Sequence, residues 1–173
     1  MSVYGWKSRI FALVIAPLAC SGSAKAPEAA GETSATPVEG AWRLVEFKLG
    51  DAPAVVNPAS LYLFTARHYS VTYANTTQRA TFATASAPTD AEKLLAYNTL
   101  IANSGTFEIA GDTLITRPVI SRNPNFMGGG EDKFLMRTAG DTLWLTNVPG
   151  AFRLANSPPS PPTNDSFTLV RER

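Results

Sequence analysis

The stretch SGTFEIAGDTLITRPVISRNPNFMGGGEDKFLMRTAGDTLWLTN, residues 104–147, decides the fold. Two pairs of strand-like runs in it are each joined by the same tight turn. These are Ala110-Gly111-Asp112-Thr113-Leu114 and Ala139-Gly140-Asp141-Thr142-Leu143. Gly-Asp supplies the positive backbone angles of a tight hairpin, and the echo reads as shared turn chemistry, with no need for a duplicated domain. Between the pairs lies the long segment 121–131. Working outward, the same alternation continues over the chain. Strand-like runs fall at about 40–48, 61–65, 68–73, 105–109, 113–120, 133–138, 142–147 and 166–172. Tight joins at 66–67, 110–112 and 139–141 alternate with long ones at 49–59, 74–103, 121–131 and 148–164. In an up-and-down antiparallel barrel, alternate connections fall at opposite ends. The expected fold is therefore all-β, an eight-stranded barrel with one tight end and a loop-rich mouth, the shape of a small-molecule cup.

Several details refine this reading. The first strand, GAWRLVEFK, would place Trp42, Leu44 and Glu46 on one face and Arg43, Val45 and Phe47 on the other. Thr89-Asp90-Ala91-Glu92 fits a capping box, and Ala91, Leu94, Tyr97 and Ile101 then share a face. One short helix is thus predicted inside the connection between the third and fourth strands, packed on the wall or lidding the opening, with the wall favoured. Pro118 gives no ladder donor, so a bulge near the mouth is needed to hold it unless the strand stops at Arg117. The first strand leaves the tight end and the last returns to it. Trp42 should therefore lie beside Arg171, whose guanidinium over the indole would plug the floor.

The N-terminus reads differently. Lys7 and Arg9 precede the apolar run Ile10 to Ala19 and then Cys20, the only cysteine in the chain. Such a run is too short to span a bilayer and reads as a secretory signal over 1–19. Pro17-Leu18-Ala19-Cys20 resembles the lipobox of bacterial lipoproteins, which implies lipidation at Cys20, although Pro17 stands where that pattern prefers leucine. The alternative is ordinary cleavage near Gly22-Ser23-Ala24. Residues 20–38 carry almost no large apolar side chain and read as a tether, leaving 39–173 as one domain. The formal charge is +1 over the whole chain. Without Lys7 and Arg9, thirteen bases stand against fourteen acids, and no basic run marks a nucleic-acid partner.

Gly40-x-Trp42 with a late arginine is similar to the lipocalin signature. More specifically, GAWRLVEF (40–47), LYLFTARHYSV (61–71), SGTFEIAGDTLITRPV (104–119), SRNPNFMGGGEDKFLMRTAGDTLWLT (121–146) and FTLVRER (167–173) resemble the bacterial lipocalin-like domain family. The likeness covers nearly all of 39–173, with Asn123–Gly128 its most specific piece. It implies a calycin-type barrel and names no particular ligand. The family often carries histidine around Arg117-Pro118, and this chain does not.

Recognisable catalytic constellations are lacking in the sequence. His68, the only histidine, stands beside a tight turn with no acidic or cysteine cluster and makes a poor metal site. Gly128-Gly129-Gly130 has no Lys-Ser/Thr after it and reads as a flexible loop rather than a phosphate cradle. Glu131 and Asp132 are neighbours and would point apart in a strand. The candidate ligand-binding residues are Glu46, Tyr69, Tyr73, Arg117, Arg122, Asn123, Asn125, Phe126 and Trp144, with Gly40, Trp42 and Arg171 as the floor. For Glu46 the competing reading is a solvent-facing rim residue. For 122–127 it is turn chemistry with Phe126 packed beneath. Arg117 and Arg137 could equally be exposed strand arginines. The expectation is an exported, lipid-anchored barrel that binds a small, mainly apolar molecule at the envelope, with no cofactor and no metal. Serine after Cys20 favours the outer membrane, where one exists. A calycin-type isomerase or cyclase, and an interaction protein with a filled barrel, are the alternatives.

Overall fold

The structure, a computed structural model, describes residues 36–155 and 162–173. The segment 1–19 expected to be a signal, Cys20 and most of the expected tether lie outside the described residues. Nine strands and one α-helix follow in order: β1 (Gly40–Lys48), β2 (Val55–Val56), β3 (Ser60–Phe64), β4 (His68–Ala74), α1 (Asp90–Asn98), β5 (Leu100–Ala110), β6 (Thr113–Ser121), β7 (Asp132–Ala139), β8 (Thr142–Asn147) and β9 (Ser166–Arg171). β1 pairs with β3, each strand from β3 onward pairs with the next, and β9 pairs back onto β1, all antiparallel. This is an eight-stranded up-and-down barrel, and closure leaves its staves without a free edge. The two-residue β2 is an addition that pairs with the mouth end of β1.

The tight turns at 111–112 and 140–141 each put positive φ on the glycine alone, at +64° and +54°. That is the type II′ pattern, in which only the first central residue must be left-handed. The three short hairpins share one end with the start of β1 and the end of β9, and the long connections share the other.

Three details differ from the sequence reading. A bulge between Leu44 and Glu46 shifts the register of β1 against β9. The extra residue reverses the alternation beyond it, so Phe47 is buried and Glu46 faces out. β5 begins at Leu100, and all of His68–Ala74 pairs with it. Helix α1 therefore ends at Asn98, where the Thr99 hydroxyl turns back to the Leu95 carbonyl at 2.8 Å, and Ile101 belongs to the sheet. Seven ladder pairs outweigh one more helical turn. Finally, the domain starts before residue 39, because Val38 is fully buried in the core and its carbonyl accepts the Trp42 indole N–H at 2.6 Å.

Pro118 stays within β6. The register against β5 slips between Ser104 and Gly105, so Gly105 opposes Pro118 and Val119 is left over. Gly105 permits this close approach: a Cβ there would collide with the Arg117 carbonyl and Pro118 Cα.

The floor is packed solid. Trp42, Leu44, Leu143 and Leu169 are fully buried, and the Arg171 guanidinium lies 4.1 Å above the indole centroid. Arg171 also donates to the Glu39 carbonyl at 2.6 Å. Gly40 makes room for it: φ is +128°, and a Cβ would stand 2.5 Å from an Arg171 nitrogen. The half-buried guanidinium thus caps the buried indole and closes the floor.

Candidate functional site

Above this floor the barrel is hollow. A cavity of about 410 Å³ opens towards the long loops. Inward positions alternate along each stave, so aromatic rings from β3, β4, β7 and β9 line it, with Phe47 of β1 packed behind Tyr73. Tyr73 stacks on Tyr62 at 5.9 Å between centroids and meets Phe47 edge-on at 5.4 Å, while Phe134 meets Phe167 edge-on at 5.8 Å.

A small set of polar groups interrupts the apolar wall. Asp132 opens β7 and faces inward, and its Oδ1 accepts from the Asn147 side-chain amide at 2.8 Å and from the Lys133 N–H at 2.9 Å. Burial raises its pKa from 3.8 to about 7; the Lys133 and Asn147 hydrogen bonds offset part of that rise, and the charge of Asp165 adds to it. Tyr69 is 3% exposed, and its hydroxyl has no hydrogen-bond partner among the described residues. Burial holds the pKa of the Tyr69 phenol well above the ordinary value; the Thr116 hydroxyl beside it offsets part of that rise, and the Asp132 charge adds a smaller increment. Burial does the same to Tyr73, with the charges of Asp132 and Asp165 adding to it and that of Arg122 offsetting a little. One barrel interior therefore holds a carboxyl poised near neutrality, an unused phenol, a buried threonine and a buried amide.

The loop after β6 forms part of the rim. Arg122 lies over the Tyr97 ring at 4.8 Å and donates to the Tyr97 carbonyl at 2.6 Å, and the Tyr97 hydroxyl returns a bond to the Arg122 carbonyl at 2.9 Å. This clamp holds helix α1 at the mouth. The predicted capping box is present, with Glu92 accepting from the Thr89 N–H at 2.7 Å. However, no residue of the helix is buried, and Leu94 is 60% exposed. The helix is held by polar ties and not, as expected, by packing on the wall. Asn123 Oδ1 accepts from the Asn125 N–H at 3.1 Å, a local turn. Phe126 is buried 5.0 Å from the Phe152 ring.

Of the nine candidate ligand residues, Tyr69, Tyr73, Arg122, Asn123 and Phe126 line the cavity. The other four do not. The β1 bulge turns Glu46 outward, and Asn125 is exposed. Trp144 sits on the outer wall with Arg137 stacked 3.7 Å above it. Arg117 is outside as well, paired with Glu108 at 2.9 Å and with Glu131 at 3.0 Å. Glu131 and Asp132 do point apart: Glu131 joins Arg117, Lys133 and Arg153 outside, and Asp132 faces the cup. His68 is exposed at its turn, and no group of metal-ligating side chains occurs among the described residues.

Sequence reasoning noted Asp132 only as pointing away from Glu131 and passed over Thr116 and Asn147, so none of the three was a candidate ligand residue. Their signal was parity: Leu143, Leu145 and Asn147 form one stripe, as do Leu114 and Thr116. A polar residue ending a buried apolar stripe marks a lining position.

No family model and no curated protein matches the chain. Among solved structures, an uncharacterized protein from Bacteroides eggerthii matches at 10% identity with a TM-score of 0.43, over 78% of this chain and 98% of that one. That likeness is too weak to bear on fold or function.

Proposed function

We propose that this protein is an exported, lipid-anchored member of the lipocalin-like proteins that holds a small, mainly apolar molecule in its barrel at the cell envelope. The observation that carries the reading is the hollow mouth half, about 410 Å³ walled mainly by aromatic and aliphatic side chains. That volume falls within the roughly 300–1,000 Å³ typical of ligand pockets, and a few polar groups in an apolar wall are what such pockets use for orientation. The Gly40, Trp42 and Arg171 floor supports the lipocalin-like assignment, because all three residues of that resemblance act as one packed unit. Cys20, at the end of an apolar run, supports the anchor, which would keep the cup beside a bilayer, in the outer membrane where the cell has one.

The hollow argues against a barrel filled by its own side chains. Of Glu46, Arg117, Tyr69 and Tyr73, the residues an isomerase or cyclase would have to use, Glu46 and Arg117 lie outside the cup and only the two tyrosines line it. The experiment is native mass spectrometry of protein purified gently from its host membranes. A co-purifying small apolar molecule, released on unfolding, is expected; a ligand-free barrel that also takes up no apolar probe would end the proposal. Fractionating the Cys20→Ser protein checks the anchor, which fails if membrane retention is unchanged.

A further inference from the structure

We propose that the molecule held in the cup carries a positively charged amine, seated on Asp132 with the Tyr69 hydroxyl beside it. The inference rests on reading the barrel as a binding cup and names the chemical class of its occupant.

Three observations converge. First, the Tyr69 hydroxyl is buried at the cavity wall beside the Thr116 side chain but makes no well-formed hydrogen bond, and such a buried polar group is costly unless a ligand or water completes it. Second, both hydrogen bonds made to the Asp132 carboxylate fall on Oδ1, which leaves Oδ2 for a guest. Third, the lining charge is negative. Asp132 and Asp165 both face the cavity, whereas Arg122 is the only lining cation among the described residues and is bound to Tyr97 at the rim. A fatty-acid-like anion would meet two carboxylates there. An ammonium would find a carboxylate acceptor and the faces of Tyr73, Tyr62 and Phe167.

The groups that face Asp132 are Tyr69 and Tyr73 from β4, Thr116 from β6, Asn147 from β8 and Asp165 before β9. On its own strand, Lys133 turns outward to Glu131 at 3.2 Å. Asp165 has its oxygens occupied by the Gly50 N–H at 2.8 Å and the Thr163 hydroxyl at 3.1 Å, so Asp132 is the carboxyl with a free oxygen.

The consequence is a pH dependence with a definite sign. In the empty cup Asp132 titrates near 7, so it is mostly neutral in mild acid. An ammonium requires it ionised, and binding then releases a proton. Amine affinity should rise about tenfold per pH unit up to neutrality and level off above it, about 30-fold between pH 5.5 and pH 8.

The test is calorimetric titration of the intact folded protein with octylamine, octan-1-ol and octanoate, which share one chain and differ only in the head. At pH 8 octylamine should bind at least tenfold more tightly than octan-1-ol, and octanoate most weakly. The octylamine advantage should shrink about 30-fold at pH 5.5 while octan-1-ol binding holds. Asp132→Asn, which keeps an acceptor for Asn147 and Lys133, should abolish both the preference and the pH slope, with circular dichroism showing the barrel still folded. Tyr69→Phe should weaken octylamine several-fold. Octylamine binding no tighter than octan-1-ol, octanoate binding best, or a pH slope that survives Asp132→Asn overturns the amine proposal and leaves the cup standing. Failure of all three to bind overturns the cup itself.

Discussion

Replacing Asp132 with asparagine isolates the energetic strain of a carboxylate held in an apolar barrel. Burial lifts its pKa from 3.8 to about 7, so the folded state holds a proton there that the unfolded chain has already released. Stability therefore runs opposite to the usual carboxylate case. It is fully present below the unfolded value and is lost as pH rises through the folded one. Taken in full, the difference between 3.8 and about 7 corresponds to about 4 kcal/mol. Water entering the open mouth screens the charge, and about half of that is the expected cost of the ionised form. Asparagine retains the acceptor used by Asn147 and Lys133 and carries no charge. Urea unfolding of both proteins from pH 5 to pH 8 measures the effect. The wild type should lose roughly 1–2 kcal/mol across that range relative to Asp132→Asn, and the variant should be the more stable protein at pH 8. Parallel profiles, or a variant less stable than wild type at pH 8, would refute the reasoning.

Two further outcomes follow from the floor and the outer wall. Gly40→Ala forces a positive φ on alanine and drives a methyl into Arg171, at a cost of about 1–3 kcal/mol. Pairing it with Arg171→Met removes the clash and leaves the backbone strain, so urea unfolding should show the two changes to be less than additive; strict additivity would exclude the contact. Burial alone would raise the Glu131 pKa, but Lys133, Arg117 and Arg153 outweigh it and hold it below the ordinary value. Glu131→Gln should destabilise the protein by roughly 1–3 kcal/mol at neutral pH, and the gap should close as acid protonates Glu131 in the wild type. A gap that persists in acid would mean that packing, not charge, ties the Arg153 loop to β7.

The order and pairing of the staves were legible in the sequence because hairpin turns and alternation are local properties. Gly-Asp makes its turn whatever surrounds it, and a run such as Leu143-Trp144-Leu145 announces a stave by its neighbours alone. The alternation of short and long joins then fixes which end is the mouth, and from that Trp42 and Arg171 fall together by simple counting. Tyr69, Tyr73 and the rim loop could be placed at the cup on the same grounds. What counting along one strand does not reveal is an inserted residue. The bulge at Leu44–Glu46 exists because β1 must satisfy β9 on one side and β3 and β2 on the other, and that mismatch reverses the facing of Glu46 and Phe47.

Where helix α1 stops was likewise settled by β4, which offers Leu100 and Ile101 a ladder worth more than another turn. The polar heart of the cup was also a tertiary outcome. Asp132, Tyr69, Thr116 and Asn147 come from four different staves, and parity along any one of them does not reveal that the four meet. Only closure of the ring sets them around one hollow, and only there does burial change what a carboxyl can do. Sequence by itself determined the turns and the strand order, which depend on local geometry, and through that order the floor pair. Tertiary structure decided which faces look inward and how charge behaves there, because both depend on what the rest of the barrel excludes.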